Sequence, residues 1–250
     1  MLLIIEALLL ILAALGQDHR AAAVYQLDMA LNSVDDQYDG CKEKYKHLEN
    51  LGKEMFLNDF NLVYQGDEKN AKKPEDNLKK IHSVSIYMYT NKDSNVYSNF
   101  NNDVRSGKQT YENGQFKWYS LQYLLTDAIQ ILKKTQNKCY LTYRGTPAEF
   151  GKDVLNKEIR LGSFTSSSLN RKVAQDFGTK SCFEIETCEG ADVIKYSKYP
   201  EQEEVLIPPY ETFKVTAVKK RADQKDLWCD IVYILKQTGK KSYLNCRADK

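Results

Sequence analysis

Apolar and polar positions along the chain follow two patterns, one helical and one strand-like. Over residues 35–57, Tyr45, Leu48, Leu51 and Met55 recur at spacings of three and four, which predicts a helix that Asp35 or Asp36 would cap. Residues 65–80 are polar, include Pro74, and read as a loop or a weak helix. The segment VSIYMY at 84–89 alternates and is rich in β-formers, so it predicts a strand. A helix is expected over about 95–105. The clearest helix spans 119–132, where Leu121, Leu124, Leu125, Ala128, Ile129 and Leu132 make one apolar stripe. Lys133 and Lys134 then suit its C-terminal end.

After Asn137 the period shortens. CYLTYR at 139–144 predicts a strand ended by Gly145 and Pro147. Residues 159–168 read as a strand or its edge, and 171–177 as a short helix. Further strands are expected at 181–187, 203–207, 211–218 and 227–235. Pro208 and Pro209 separate two of them, because proline cannot sit inside a central ladder. The fold class is therefore α+β: a helical part at about 30–135, then a mostly antiparallel β-rich part at about 138–246. No internal repeat interrupts this order.

The first residues read differently. An apolar run from Leu2 to Leu15, broken only by Glu6, leads into Ala13, Ala14 and Gly16 and then the polar Gln17-Asp18-His19-Arg20. This predicts a secretory signal over about 1–20, with one domain from 21 to 250. The alternative is an uncleaved anchor helix, but the run is shorter than the ~20 residues a bilayer core requires. The C-terminal GKKSYLNCRADK is polar and does not resemble a lipid-anchor signal. A secreted, monomeric protein without stable membrane insertion is expected.

Charge adds mainly exclusions. With 36 Lys and Arg against 34 Asp and Glu, the formal net charge of the 250-residue chain is +2, giving no bulk drive toward nucleic acid. The three histidines, His19, His47 and His82, are scattered, and no CxxC pair occurs, so no metal site is expected. Six cysteines in an exported chain argue for disulfides, but spacing alone leaves fifteen pairings open.

Three short motifs carry candidate chemistry. Tyr143-Arg144-Gly145 ends a strand, where a forked guanidinium suits a phosphate; taken alone, an ion pair is its more ordinary role. Phe164 to Ser168 (FTSSS) places hydroxyls beside an aromatic, or simply caps the following helix. Glu201 to Pro209 (EQEEVLIPP) runs acids into an apolar strand. On that strand Gln202 and Glu204 would share one face and Glu201 and Glu203 the other.

In the order YRG, F-x-S-x-S, E-V-L-I-P, the three motifs resemble the R-S-E signature of the vertebrate arginine-specific ecto-ADP-ribosyltransferases. That family is similar in fold to the bacterial binary ADP-ribosylating toxins. The resemblance runs from about Asp35 to Cys246 and takes in DDQYDGC at 35–41, Tyr89-Thr90-Asn91, and FTSSSLNRKVAQDF at 164–177. It implies a helical part followed by a two-sheet β core. It also implies NAD as co-substrate and no metal, with ADP-ribose passed to an arginine-bearing protein or to water. Arg144 would grip the phosphates, Ser166 would orient the nicotinamide ribose, and Glu204 would stabilise the ribosyl cation. Tyr89, Ser163 and Ser197 would contact the dinucleotide.

The resemblance further implies the bonds Cys41–Cys246 and Cys139–Cys188, leaving Cys182 and Cys229 for a hypothetical third bridge. Gln202 departs from the family's Glu-x-Glu. A neutral amide cannot attract a guanidinium by charge, so hydrolysis of NAD is an alternative main activity. A non-catalytic NAD- or partner-binding module is a second alternative. A one-residue shift of register would instead make Glu201 and Glu203 the pair.

Overall fold

The computed structural model describes residues 24–47 and 67–247. The expected signal segment and residues 48–57 of the helix expected at 35–57 lie outside the described residues; of the described part only Lys42–Tyr45 is an assigned α-helix. In chain order the elements are β1 (Val24–Tyr25), α1 (Lys42–Tyr45), α2 (Lys80–Thr90), α3 (Val96–Ser106), α4 (Lys108–Glu112), α5 (Tyr119–Gln136), β2 (Tyr140–Thr146), β3 (Glu149–Phe150), β4 (Glu158–Ile159), β5 (Thr165–Ser168), α6 (Arg171–Asp176), β6 (Ser181–Thr187), β7 (Ala191–Asp192), a 3₁₀ turn (Pro200–Gln202), β8 (Glu204–Ile207), β9 (Glu211–Lys220) and β10 (Ile231–Lys240).

The two sheets are unequal. Eight strands pair in the order β4-β9-β10-β6-β2-β5-β8-β7, while β1 and β3 form a small parallel ribbon. Within the large sheet only β10 and β6 run parallel; every other pairing is antiparallel. Apart from β1 at the start and α6 between β5 and β6, helices come first and strands afterwards, as the two patterns in the sequence predict.

Helix α5 is the centre of the helical half. Its stripe (Leu121, Leu124, Leu125, Ala128, Ile129, Leu132) is buried with Val84, Ile86, Met88 and Tyr89 of α2 and Phe100 of α3. It ends at Asn137, whose N–H still reaches the Lys133 carbonyl at 2.8 Å while its left-handed φ of 44° turns the chain out of the helix. A second cluster, including Ile159, Phe183, Ile185, Phe213, Val215 and Tyr233, fills the sheet half. Strand β8 belongs to both clusters, with Leu206 in the first and Ile207 in the second. A strand covered on both faces is a rigid mount for the side chain at its start.

Two expectations about the helical half need correcting. Residues 84–89 are helical, not a strand. They are buried on nearly every side, so the apolar residues show no single helical stripe, and Ser83 and Ser85 between them mimic alternation. Ser85 satisfies its hydroxyl within the helix, donating to the Ile81 carbonyl at 2.8 Å.

The second correction concerns Asp35 and Asp36, which do not cap the helix beginning at Lys42. Both are fully buried and bind the C-terminal segment. Asp35 accepts the N–H groups of Tyr243 and Leu244 at 3.0 Å and pairs with buried Arg160. Asp36 accepts the N–H of Cys246 at 3.0 Å and the Tyr111 hydroxyl at 2.9 Å. The disulfide Cys41–Cys246 closes the same seam. Cys139–Cys188 and Cys182–Cys229 complete the set, with Cα–Cα distances of 4.2 and 6.0 Å, so the third bridge is present.

Candidate active site

The large sheet brings its three motifs together because β2, β5 and β8 are neighbours. Ser168 of β5 lies opposite Tyr143 of β2 on one side and Glu204 of β8 on the other. Arg144, Ser166 and Glu204 therefore stand on three adjacent strands. All three line one cleft of about 400 Å³, within the ~300–1,000 Å³ of small-molecule sites.

Backbone packing fixes each of them. Gly145 sits under the end of α6: a Cβ there would fall 2.3 Å from the Ala174 carbonyl and 2.2 Å from that of Gly178. Only glycine lets β2 approach so closely, and the next residue in line is Arg144. The Arg144 guanidinium spends one arm on the Ser166 carbonyl at 2.6 Å. Burial works against its charge, but Tyr97, Tyr89 and Glu204 beside it prevail and hold it more firmly protonated than usual.

Glu204 is buried, and its Oε1 has no hydrogen-bond partner. Burial pushes its carboxyl above the usual range, against the lowering influence of the Ser166 hydroxyl, Lys92 and Arg144. A buried carboxylate oxygen left unpaired costs stability, and such groups concentrate where a ligand supplies the partner.

Gln202 does reach the cleft with Glu204, though not through a shared strand face. Residues 200–202 form a 3₁₀ turn and Glu203 has φ 47°, a left-handed conformation that non-glycine residues rarely adopt. This kink, rather than strand alternation, places Gln202 beside Glu204. It is held by the Ser168 hydroxyl, which donates to the Gln202 carbonyl at 2.8 Å, and by the Leu169 N–H, which donates to the Glu203 carbonyl at 3.0 Å. The Glu203 carboxylate turns away to accept from Asn170 at 3.1 Å, and Asn170 also caps α6. Glu201 is exposed, and neither it nor Glu203 lines the cleft, so the shifted-register pair is not the one facing it.

The remaining sequence-chosen residues lie behind the cleft wall. Tyr89 is fully buried; its hydroxyl donates to the Phe164 carbonyl at 3.0 Å and accepts from Asn101 at 2.9 Å, fixing the entry to β5. Ser163 and Ser197 are also buried and do not line the cleft. The Ser163 carbonyl accepts from Thr165, and Ser197 Oγ accepts from the Tyr199 N–H. Thr90, Lys92, Tyr97 and Phe177 line the cleft and were not singled out from the sequence. Thr90 and Phe177 fall within stretches that the resemblance takes in, Tyr89-Thr90-Asn91 and 164–177, which give neither a role; Lys92 and Tyr97 stand outside any motif.

A family model for NAD:arginine ADP-ribosyltransferase matches residues 27–233. The chain belongs to this family. It is 34% identical to the human GPI-linked NAD(P)(+)--arginine ADP-ribosyltransferase 1 over 246 residues, covering 88% of this chain and 73% of that protein. The crystal structure of the eucaryotic mono-ADP-ribosyltransferase ART2.2 superposes with a TM-score of 0.73 at 32% identity, covering 89% of this chain and 98% of that one. A variant of ART2.2 solved in complex with NAD matches over the same shares of both chains, with a TM-score of 0.71 at 30% identity. As an ADP-ribosyltransferase, the chain is an enzyme that uses NAD. Among the described residues no group of His, Cys, Asp and Glu is placed to hold a metal ion, and no helix is long and apolar enough to cross a membrane.

Proposed function

We propose that this cleft binds NAD, cleaves its nicotinamide–ribose bond, and passes ADP-ribose to an arginine side chain or to water. The observation that carries this reading is the convergence of the Arg144 guanidinium, the Ser166 hydroxyl and the unpaired Glu204 Oε1 on one cleft. Arg144 gives donors to Ser166 and Tyr97 and has further N–H groups beyond them, and a planar fork suits the pyrophosphate. Glu204 accepts from a ribose hydroxyl and faces the positive charge that grows at C1′ as the C–N electron pair leaves with nicotinamide. Preorganised charge of this kind is typically a large contribution to catalysis, and the cationic leaving group needs no acid. Ser166 holds Glu204 in place.

The same geometry favours hydrolysis as a major outcome. Gln202 lies at the position from which a carboxylate would draw in a guanidinium and take its proton. An amide does neither, and the lost interaction of ~1–3 kcal/mol is worth about tenfold to a hundredfold in acceptor use. Water needs no such partner. The three disulfides fit an extracellular enzyme acting on NAD outside the cell.

Incubation with labelled NAD, with and without a simple guanidino acceptor, tests the reading by product separation. Free nicotinamide with ADP-ribose or its guanidino adduct is the expected result; no release of nicotinamide overturns it in favour of a binding module. Gln202→Glu should raise transfer relative to hydrolysis, and an unchanged ratio would remove residue 202 from acceptor choice.

A further inference from the structure

The mouth of the cleft carries a cation that no motif indicates. Lys92 follows directly on Asn91, the residue that ends α2, and lines the cleft. Its ammonium stands 4.2 Å from the ring centre of Phe177 and 5.4 Å from that of Tyr199. Phe177 closes α6 on one wall. Tyr199 opens the turn on the other, where its carbonyl accepts the Gln202 N–H at 3.0 Å. The ammonium thus spans the two walls beside the turn that presents Gln202.

Among the described residues Lys92 forms no ion pair, whereas Lys198, on the same Tyr199 ring at 5.7 Å, is held by Asp93 and Asn91. Asp93 is thereby taken, and Glu203 is turned to Asn170. The remaining acid whose charge Lys92 influences is Glu204 itself, at the reacting end of the cleft.

We propose that Lys92 sets the acceptor class of this site: its ammonium, fixed across Phe177 and Tyr199 next to Gln202, disfavours guanidinium acceptors and leaves water and neutral nucleophiles to reach the ribosyl carbon. The inference rests on the reading of the cleft as NAD-cleaving. In every branch the C1′–nicotinamide bond breaks with its electron pair going to nicotinamide. A new C1′ bond then forms to the nucleophile, which sheds one proton to solvent. A guanidinium must arrive charged and then lose that proton, and an exposed like charge lining the same cleft opposes its arrival by about threefold to tenfold, less as salt screens it. Neutral nucleophiles feel no such barrier.

The test compares the full chain with Lys92→Gln and Lys92→Glu, supplying NAD with agmatine as the cationic acceptor and methanol as the neutral one. Lys92→Gln is expected to raise the ratio of guanidine transfer to hydrolysis about threefold to tenfold, and Lys92→Glu further. The gain should shrink at high salt, and the ratio of methanolysis to hydrolysis should hold within about twofold. An unmoved guanidine ratio in Lys92→Glu refutes the proposal alone. So does a methanol ratio that rises in step with it, because a merely loosened rim admits both acceptors. No nicotinamide release from any of the three chains refutes the NAD-cleaving reading and this proposal with it.

Discussion

Replacing Arg144 by lysine separates charge from shape. The substitution keeps the positive charge in the cleft, but an ammonium cannot hold the Ser166 carbonyl, now bound at 2.6 Å, and also present a planar pair of donors to a pyrophosphate. One of the two contacts is lost. A charge-assisted hydrogen bond is worth ~1.5–3 kcal/mol, and 1.4 kcal/mol is a factor of ten, so the loss corresponds to about tenfold to 150-fold in binding. Nicotinamide release measured over a range of NAD concentrations reads it out. The expected result is a KM for NAD raised by that factor, with far-UV circular dichroism and melting temperature close to the parent chain. A KM within twofold of the parent would refute the role given to the guanidinium fork.

Two further outcomes follow from buried carboxylates. Asp35→Ala should lower stability by ~3–5 kcal/mol, because it strands the buried Arg160 charge and two backbone N–H groups of the C-terminal segment. Denaturant unfolding checks this, and a loss below about 1 kcal/mol would mean that the Asp35 seam does not hold the termini. Glu204 must be ionised to stabilise a cation, and burial raises the pH at which it ionises. The value of kcat/KM should therefore fall on acidification with a midpoint above the ~4.3 of an ordinary glutamate, and rise to a plateau above it. A profile flat down to pH 4 would contradict that assignment.

The sequence discloses those parts of the fold where one face is buried and the other wet. Helix α5 is readable because its polar face sets off the Leu121–Leu132 stripe, and β2 and β6 because Pro147 and polar segments bound them, although β2 runs on through the Gly145 expected to end it, as far as Thr146. It misleads where burial is complete: α2 has no wet face over much of its length, so neither period is distinct. At the site, Arg144, Ser166 and Glu204 are readable because each sits in a motif whose spelling reflects a backbone constraint, such as the close approach at Gly145. The partnership of Gln202 with Glu204 is also readable, but its cause is not, since a left-handed glutamate leaves no mark in the sequence. Lys92 and Tyr97 come to the cleft through tertiary packing alone.

The most direct test is Glu204→Gln, which keeps the shape of the side chain and removes its charge. Nicotinamide release from NAD should fall by about a hundredfold to a thousandfold, the range for losing one preorganised charge-stabilising group. The fold should be retained, since a neutral amide is easier to bury than a carboxylate. Release within tenfold of the parent rate, from a variant with an unchanged melting temperature, would contradict the assignment of this cleft as the place where NAD is cleaved.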